Sequence, residues 1–154
     1  MDESAAIAEF CRLLGRVRSR FRDAHISVEK QRCFANVETG MSPYETSVTV
    51  GRGEYVAVGM SLSIHGDLKH PIDDKCSFGA TVDIAYGEGE WQCEGSIGWS
   101  TNSDGWEEQE CLEMTAQSAD ELRSALEDFT QRTLDRFAAL VEANAVRGWR
   151  WRKK

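Results

Sequence analysis

The stretch FGATVDIAYGEGEWQCEGSIGW, residues 78–99, decides the fold. Its apolar residues alternate with small or polar ones on both sides of the glycine-bearing segment 87–90. Such alternation is typical of strands with one buried face, and a short glycine-bearing connection between two of them indicates an antiparallel hairpin. A tight turn at 87–90 sets large apolar residues opposite apolar or glycine partners, a match that a one-residue slip would destroy. The predicted partners are Tyr86 and Trp91, Ile84 and Cys93, Val82 and Gly95, Ala80 and Ile97, and Phe78 and Trp99.

Helical and further strand patterns flank this hairpin. Apolar residues recur at steps of three and four from Ile7 to Val28, which predicts a helix over about 4–24 or longer. Ser118 and Glu121 form a capping-box pair before a second apolar stripe, which predicts a helix over about 119–146. The prediction is an α+β fold in a single domain, 1–154, with both helices packed on one face of a five-stranded antiparallel meander. Its strands are expected at about 46–50, 55–65, 77–86, 91–100 and 106–115.

The composition excludes several classes of protein. The 154 residues include 26 acids and 18 lysines and arginines, so the net charge is −8, which argues against a generic nucleic-acid coat. No apolar run reaches the roughly 18 residues of a membrane helix, and the acidic N-terminus is unlike a signal peptide. The five cysteines are odd in number and lack CxxC spacing, which favours reduced thiols and a cytoplasmic protein.

The negative charge is concentrated in one part of the chain. The 47 residues between Lys75 and Arg123 contain eleven acids and no lysine, arginine or histidine. Strand alternation turns four of these acids away from the core, and the hairpin register sets Asp83 directly across from Glu94. Like charges opposed on a sheet reduce stability, so this face is expected to bind a basic partner or to serve solubility alone. A third alternative is a bound divalent cation, since carboxylates suit calcium or magnesium, although no EF-hand spacing is present. The four outward acids are Asp83, Glu94, Glu107 and Glu113.

Two acids of the last strand have the opposite orientation. Glu108 and Glu110 share strand parity with Leu112 and Met114, so an ideal strand would point them toward the core. An unpaired buried carboxylate is costly. We interpret these acids as inward charges of an edge strand that discourage edge-to-edge pairing, or alternatively as ligands of a partner's arginine. With Trp106 at the start of this strand, the predicted partner-binding residues are Asp83, Glu94, Trp106, Glu107, Glu108, Glu110 and Glu113.

Two other segments carry functional groups without a specific signature. Segment 65–76 holds two histidines, three aspartates and one cysteine, but their spacing matches no familiar zinc pattern and suits a polar connection between strands. The tail 147–154 alternates tryptophan with basic residues, and it is expected to fold back on the acidic sheet or the core, or to dock on a partner through Trp149 and Trp151. Nucleophile-elbow, P-loop and dinucleotide-binding motifs are absent, so no catalytic, cofactor-binding or metal-binding residue is predicted.

These observations favour a small non-enzymatic protein that binds another protein. The expected function is that of an immunity protein or antitoxin-like inhibitor, which neutralises a basic, nuclease-like toxin through the acidic sheet face. One alternative is a dimeric chaperone or adaptor for a secreted effector. Another is a small-ligand or metal-binding enzyme module that uses segment 65–76. No cofactor, direct nucleic-acid contact or membrane contact is expected, and the sequence leaves monomer and homodimer equally open.

Overall fold

The computed structural model of the protein describes residues 3–50, 53–87 and 89–146. A helix, a meander of five strands and a second helix follow one another along the chain. A short π-helical turn extends the second helix. The elements are α1 (Glu3–Glu29), β1 (Phe34–Val50), β2 (Gly53–Ile72), β3 (Lys75–Gly87), β4 (Glu90–Thr101), β5 (Gly105–Ala116), α2 (Ala119–Val141) and the π-helical turn Glu142–Val146.

The sheet has the order β1-β2-β3-β4-β5, and all four strand pairs are antiparallel. The register of the central hairpin is the one that the sequence predicts. Tyr86 pairs with Trp91, Val82 pairs with Gly95, and Asp83 lies directly across from Glu94. β1 and β5 are the two edges of the sheet, which confirms the prediction that β5 is an edge strand.

Both helices cover the same face of the sheet, as predicted, and the fold is α+β. α1 packs on β1 and β2, whereas α2 packs on β3, β4 and β5. Between the helices and the sheet lies one apolar core, in which large side chains of α1, α2 and the central strands are fully buried. The largest of these are Trp91, Phe78, Phe129, Phe137, Leu13, Ile64 and Ile84. Among the described residues, no helix is both long and apolar enough to span a membrane.

The start of α2 is capped as its sequence predicts. The Ser118 hydroxyl accepts a hydrogen bond of 3.2 Å from the Glu121 backbone N–H. The Glu121 carboxylate accepts one of 2.8 Å from the backbone N–H of Gln117, one residue before the cap. The regular helix ends at Val141 and the π-helical turn carries the chain to Val146, so the predicted end at 146 includes two kinds of helix. The predicted tail, 147–154, lies outside the described residues.

A buried carboxylate joins the two helices. Glu9 on α1 is almost fully buried, and its Oε1 atom accepts hydrogen bonds of 3.0 and 2.9 Å from Nε and Nη2 of Arg123 on α2. Arg12 donates a third bond of 3.1 Å to Oε2. Burial acts to raise the pKa of Glu9, but the hydrogen bonds and charges of the two arginines outweigh it and hold the pKa below its ordinary value. Glu9 is therefore ionised and fixes the position of α1 against α2.

The strands extend beyond their predicted limits at the β1–β2 and β2–β3 ends. β1 begins at Phe34 rather than near 46, because residues 34–45 pair with β2 although they lack strict apolar alternation. Segment 65–76, predicted as a loop, forms the ends of β2 and β3 around a two-residue turn. Asp73 and Asp74 occupy that turn with φ of 47° and 69°, a left-handed conformation that aspartate tolerates in tight hairpins.

Candidate functional site

The outer face of the sheet, opposite the helices, carries small and polar side chains. Successive strands place Ser63, Thr81, Ser96 and Cys111 in one row across this face. Both helices pack on the other face, so no described helix covers this row. The register assigns no lysine or arginine of the described strands to the rows that contain Asp83, Thr81 and Gly79. The outer face is thus a polar surface without positive charge from lysine or arginine in these rows.

A β-bulge in β5 decides which acids reach this face. Ile97 pairs with Glu110, whereas the next residue, Gly98, pairs with Glu108, so Gln109 is the extra residue. One extra residue reverses the side-chain alternation on either side of the bulge. Glu108 therefore lies on the outer face, and the prediction that it faces the core is wrong. Glu107 lies on the helix side, and the prediction that it faces outward is also wrong.

The two acids on the helix side of β5 have partners within the chain. Glu107 pairs with Trp99, and its Oε2 atom accepts a hydrogen bond of 2.8 Å from the indole Nε1. Glu110 keeps the predicted helix-side position, where its Oε2 atom lies 3.8 Å from Nε of Arg136 on α2. Arg136 of this chain is thus the cation beside Glu110, where the sequence also allowed an arginine from a partner. Neither acid belongs to the outer surface.

We call the four remaining carboxylates, Asp83, Glu94, Glu108 and Glu113, the acidic face. Asp83, Glu94 and Glu113 stand in one row on β3, β4 and β5, each directly across from the next. Glu108 lies one row further on, beyond the row of Ser96 and Cys111, and its Oε2 atom accepts a 2.5 Å hydrogen bond from the Ser96 hydroxyl. None of the four forms an ion pair with a lysine, arginine or histidine of the described ranges. The acidic face is therefore uncompensated by the described part of the chain.

The central carboxylate of the acidic face has an altered affinity for protons. Burial raises the pKa of Glu94, and the like charges of Asp83, Glu108 and Glu113 raise it further. A hydrogen bond from the Cys111 thiol acts in the opposite direction but does not cancel these effects. Burial and the same carboxylates also raise the pKa of the Cys111 thiol. The local field thus disfavours negative charge and favours a bound cation.

Replacing the central carboxylate is expected to stabilise the protein. Since the pKa of Glu94 is raised in the folded state, folding favours its protonated form, and the stability cost grows as pH rises above the ordinary carboxyl pKa. Glu94→Gln should raise the free energy of unfolding at about pH 7 by about 0.5 kcal/mol, a small gain because exposed charges are screened. Urea denaturation should show this gain disappearing as pH falls below the ordinary carboxyl pKa, where Glu94 is neutral in both states.

The matched control is Asp23→Asn, since Asp23 is an exposed acid in the interior of α1. This variant should change the free energy of unfolding little at either pH. A destabilised Glu94→Gln protein at neutral pH would show that the carboxylate row does not repel itself.

In the described part of the chain, possible metal ligands come together on the outer face of the sheet and not in segment 65–76. Among the described residues, one set of three candidate ligands has its atoms within 4.8 Å, namely Glu94, Glu108 and Cys111. All three are exposed, and the raised pKa of the thiol opposes the thiolate form that binds metals. Within segment 65–76, His65 instead contacts Asp67 at 3.0 Å, and Asp74 accepts a hydrogen bond of 2.7 Å from Ser103. These side chains, which the sequence suggested as metal ligands, thus have polar partners within the protein.

The outer face offers binding groups rather than a recognisable catalytic arrangement. Its carboxylates attract cations, its hydroxyls form hydrogen bonds, and Trp106 adds an aromatic side chain that is 46% exposed. No protein-family model matches the chain, and neither a curated protein nor a solved structure is significantly similar to it. Of the predicted partner-binding residues, the structure brings Asp83, Glu94, Glu108, Glu113 and Trp106 together on the outer face. It places Glu107 and Glu110 on the helix side.

Proposed function

We propose that the protein binds a basic partner protein through the acidic face. The observation that carries this proposal is the row of Asp83, Glu94 and Glu113, in which three like charges stand opposite one another on adjacent strands. A lysine in the middle position would remove the repulsion, yet the chain keeps a carboxylate there. Function is the reason we infer for an arrangement that lowers stability.

A basic partner would gain from this arrangement in two ways. A surface of one sign steers an oppositely charged protein and raises the rate of association. A bound cation also relieves the repulsion among the four carboxylates, so the complex recovers stability that the free protein lacks. Both effects weaken with salt, because the Debye length falls from about 10 Å at 0.1 M to about 3 Å at 1 M.

The narrower proposal is an immunity protein or antitoxin-like inhibitor. Nucleases bind phosphates through basic clefts, and a face of carboxylates can occupy the path that the phosphates follow. The acidic face fits this role because its carboxylates come from three adjacent strands and are fixed by one rigid sheet. We therefore expect the partner to be a basic, nuclease-like protein whose activity falls when this chain binds.

Affinity capture from the source cells tests the proposal. The baits are the natural protein, a triple variant of the acidic face (Asp83→Lys, Glu94→Lys, Glu113→Lys) and a control. The control (Asp23→Lys, Glu29→Lys, Glu142→Lys) makes the same charge change at exposed helical positions. A basic protein should be retained at about 50 mM salt by the natural protein and the control, but not by the acidic-face variant, and released at about 500 mM salt.

The captured protein is then assayed for nuclease activity with and without the natural protein. Inhibition by the natural protein and not by the acidic-face variant supports the inhibitor role. Equal retention on all three baits, or retention of an acidic protein only, would count against docking through the acidic face.

A groove favours the second candidate function, a dimeric chaperone or adaptor. It lies between α1 and β1, has a volume of about 480 Å³, and is floored by Leu62. Ile26 and Met41, which line it, are 40% and 48% exposed, and Arg18 and Arg22 also border it. Such a groove suits an apolar client segment with acidic flanks. Light scattering tests this candidate, since a strict monomer would argue strongly against it.

A further inference from the structure

Trp106 projects from the edge strand across the outer face of the sheet. It lies opposite Ser100 in the register, and its six-membered ring extends over the glycines of the neighbouring strands. A Cβ atom on Gly98 would lie 3.0 Å from Cζ2 of the indole, and one on Gly79 would lie 3.2 Å from Cη2. The ring thus rests on two positions that have no side chain.

The two glycines form a seat that holds the indole at the surface. Any larger residue at Gly98 or Gly79 would displace the ring. The ring is nevertheless not part of the core, because Trp106 remains 46% exposed. An aromatic side chain that is fixed from below and open above loses little conformational entropy when a partner binds, a property of binding hot spots.

The electrostatic surroundings of the seat select a positive ligand. Glu108 stands directly across from Gly98, and its candidate ligand atom lies within 4.8 Å of those of Glu94 and Cys111. The seat therefore adjoins the acidic face at Glu108. On the far side, Gly79 pairs with His65, whose ring contacts Asp67. A cation above the indole would have an aromatic surface below it and, two residues along β5, the Glu108 carboxylate, which also accepts the hydrogen bond from Ser96.

Arginine fits these surroundings better than lysine does. Its planar guanidinium stacks on an aromatic ring and donates two parallel hydrogen bonds to a carboxylate at the same time. A lysine ammonium also lies over aromatic rings, as Lys75 does 4.6 Å from the centre of the Trp99 ring, but it is a compact, strongly hydrated charge without the planar, paired donors of arginine. We propose that Trp106 and Glu108 form a recognition site for an arginine side chain of the basic partner, an inference that rests on the proposed function.

Two peptides of equal charge test the site. Hexa-arginine and hexa-lysine are titrated into the full-length ¹⁵N-labelled protein at low salt, and the indole N–H signals of the tryptophans are followed by NMR. Loss of one signal in Trp106→Phe assigns Trp106. We expect the Trp106 signal to shift with hexa-arginine, and the dissociation constant for hexa-arginine to be about three- to fivefold lower than for hexa-lysine.

Two variants complete the test. Trp106→Ala should bind both peptides equally, whereas Trp106→Phe should retain part of the preference for arginine. Thermal unfolding checks that each variant is folded.

The outcomes separate this inference from the proposed function. If both peptides bind, the acidic-face signals shift and the arginine preference survives in Trp106→Ala, the arginine site is wrong and the acidic face stands. If neither peptide binds at low salt, both proposals fail.

Discussion

Gly98→Ala is expected to destabilise the protein by about 3 kcal/mol, the upper end for an overpacked site. A Cβ atom at this position would overlap with the carbonyl oxygen of Glu107 and would lie 3.0 Å from the Trp106 ring. The first contact is with backbone, so rotation of a side chain does not relieve it. The strands must separate at the β-bulge, and the bulge is what turns Glu108 outward. Urea denaturation measures the loss of stability.

Gly15→Ala is the matched control, and its expected effect has the opposite sign. Gly15 is exposed on α1, and a Cβ atom there would meet nothing within 4 Å. Alanine should therefore stabilise the helix by up to about 1 kcal/mol, since glycine costs that much in a helix interior. If Gly98→Ala were as harmless as Gly15→Ala, β4 and β5 would not approach each other as closely as the structure shows.

Reversing the charge of the acidic face should lower the affinity for the basic partner at least about 100-fold, since the loss of even one charge pair that is buried and hydrogen-bonded in the interface costs about 2–5 kcal/mol. The change combines Asp83→Lys, Glu94→Lys and Glu113→Lys, which stand in one row. Each lysine removes an attraction and adds a repulsion. Isothermal titration calorimetry with the captured partner measures the loss.

The loss should scale with charge. The neutral variant Asp83→Asn, Glu94→Gln, Glu113→Gln should have an intermediate affinity, because it removes attraction without adding repulsion. The control variant at Asp23, Glu29 and Glu142 should stay within about threefold of the natural protein, since its exposed positions act only through long-range, screened fields. Equal losses in the acidic-face and control variants would show that net charge, rather than the acidic face, determines binding.

The central hairpin could be predicted from sequence because apolar residues on one face alternate regularly with small or polar residues on the other. Large apolar residues such as Ile84 and Trp91 tolerate only one side of the sheet, so the alternation determines both the strands and their register. The capping pair Ser118 and Glu121 likewise marks the start of α2 through local chemistry alone. The contact of Glu9 with Arg123 could not be predicted in this way, because these residues are 114 positions apart.

Two of the errors lie at the edges of the sheet, where alternation is weak. β1 pairs with one neighbour only and is incompletely covered by α1, as the exposed Met41 shows, so its first half needs no apolar pattern. In β5 the bulge at Gln109 shifts the alternation by one residue and exchanges the directions of Glu107 and Glu108. Gly98 was the one feature of the sequence that pointed to this bulge, because a glycine inside a strand often marks a bulge or a close approach of another backbone.

Carboxyl footprinting of the complex is the sharpest test of docking through the acidic face. Carbodiimide labelling of the protein, alone and with its captured partner, reports how accessible each acid is. We expect binding to lower the labelling of Asp83, Glu108 and Glu113 severalfold, whereas Glu29 and Glu142 on the helical side should keep their labelling. Unchanged labelling of the acidic face, with protection at the helices instead, would contradict it.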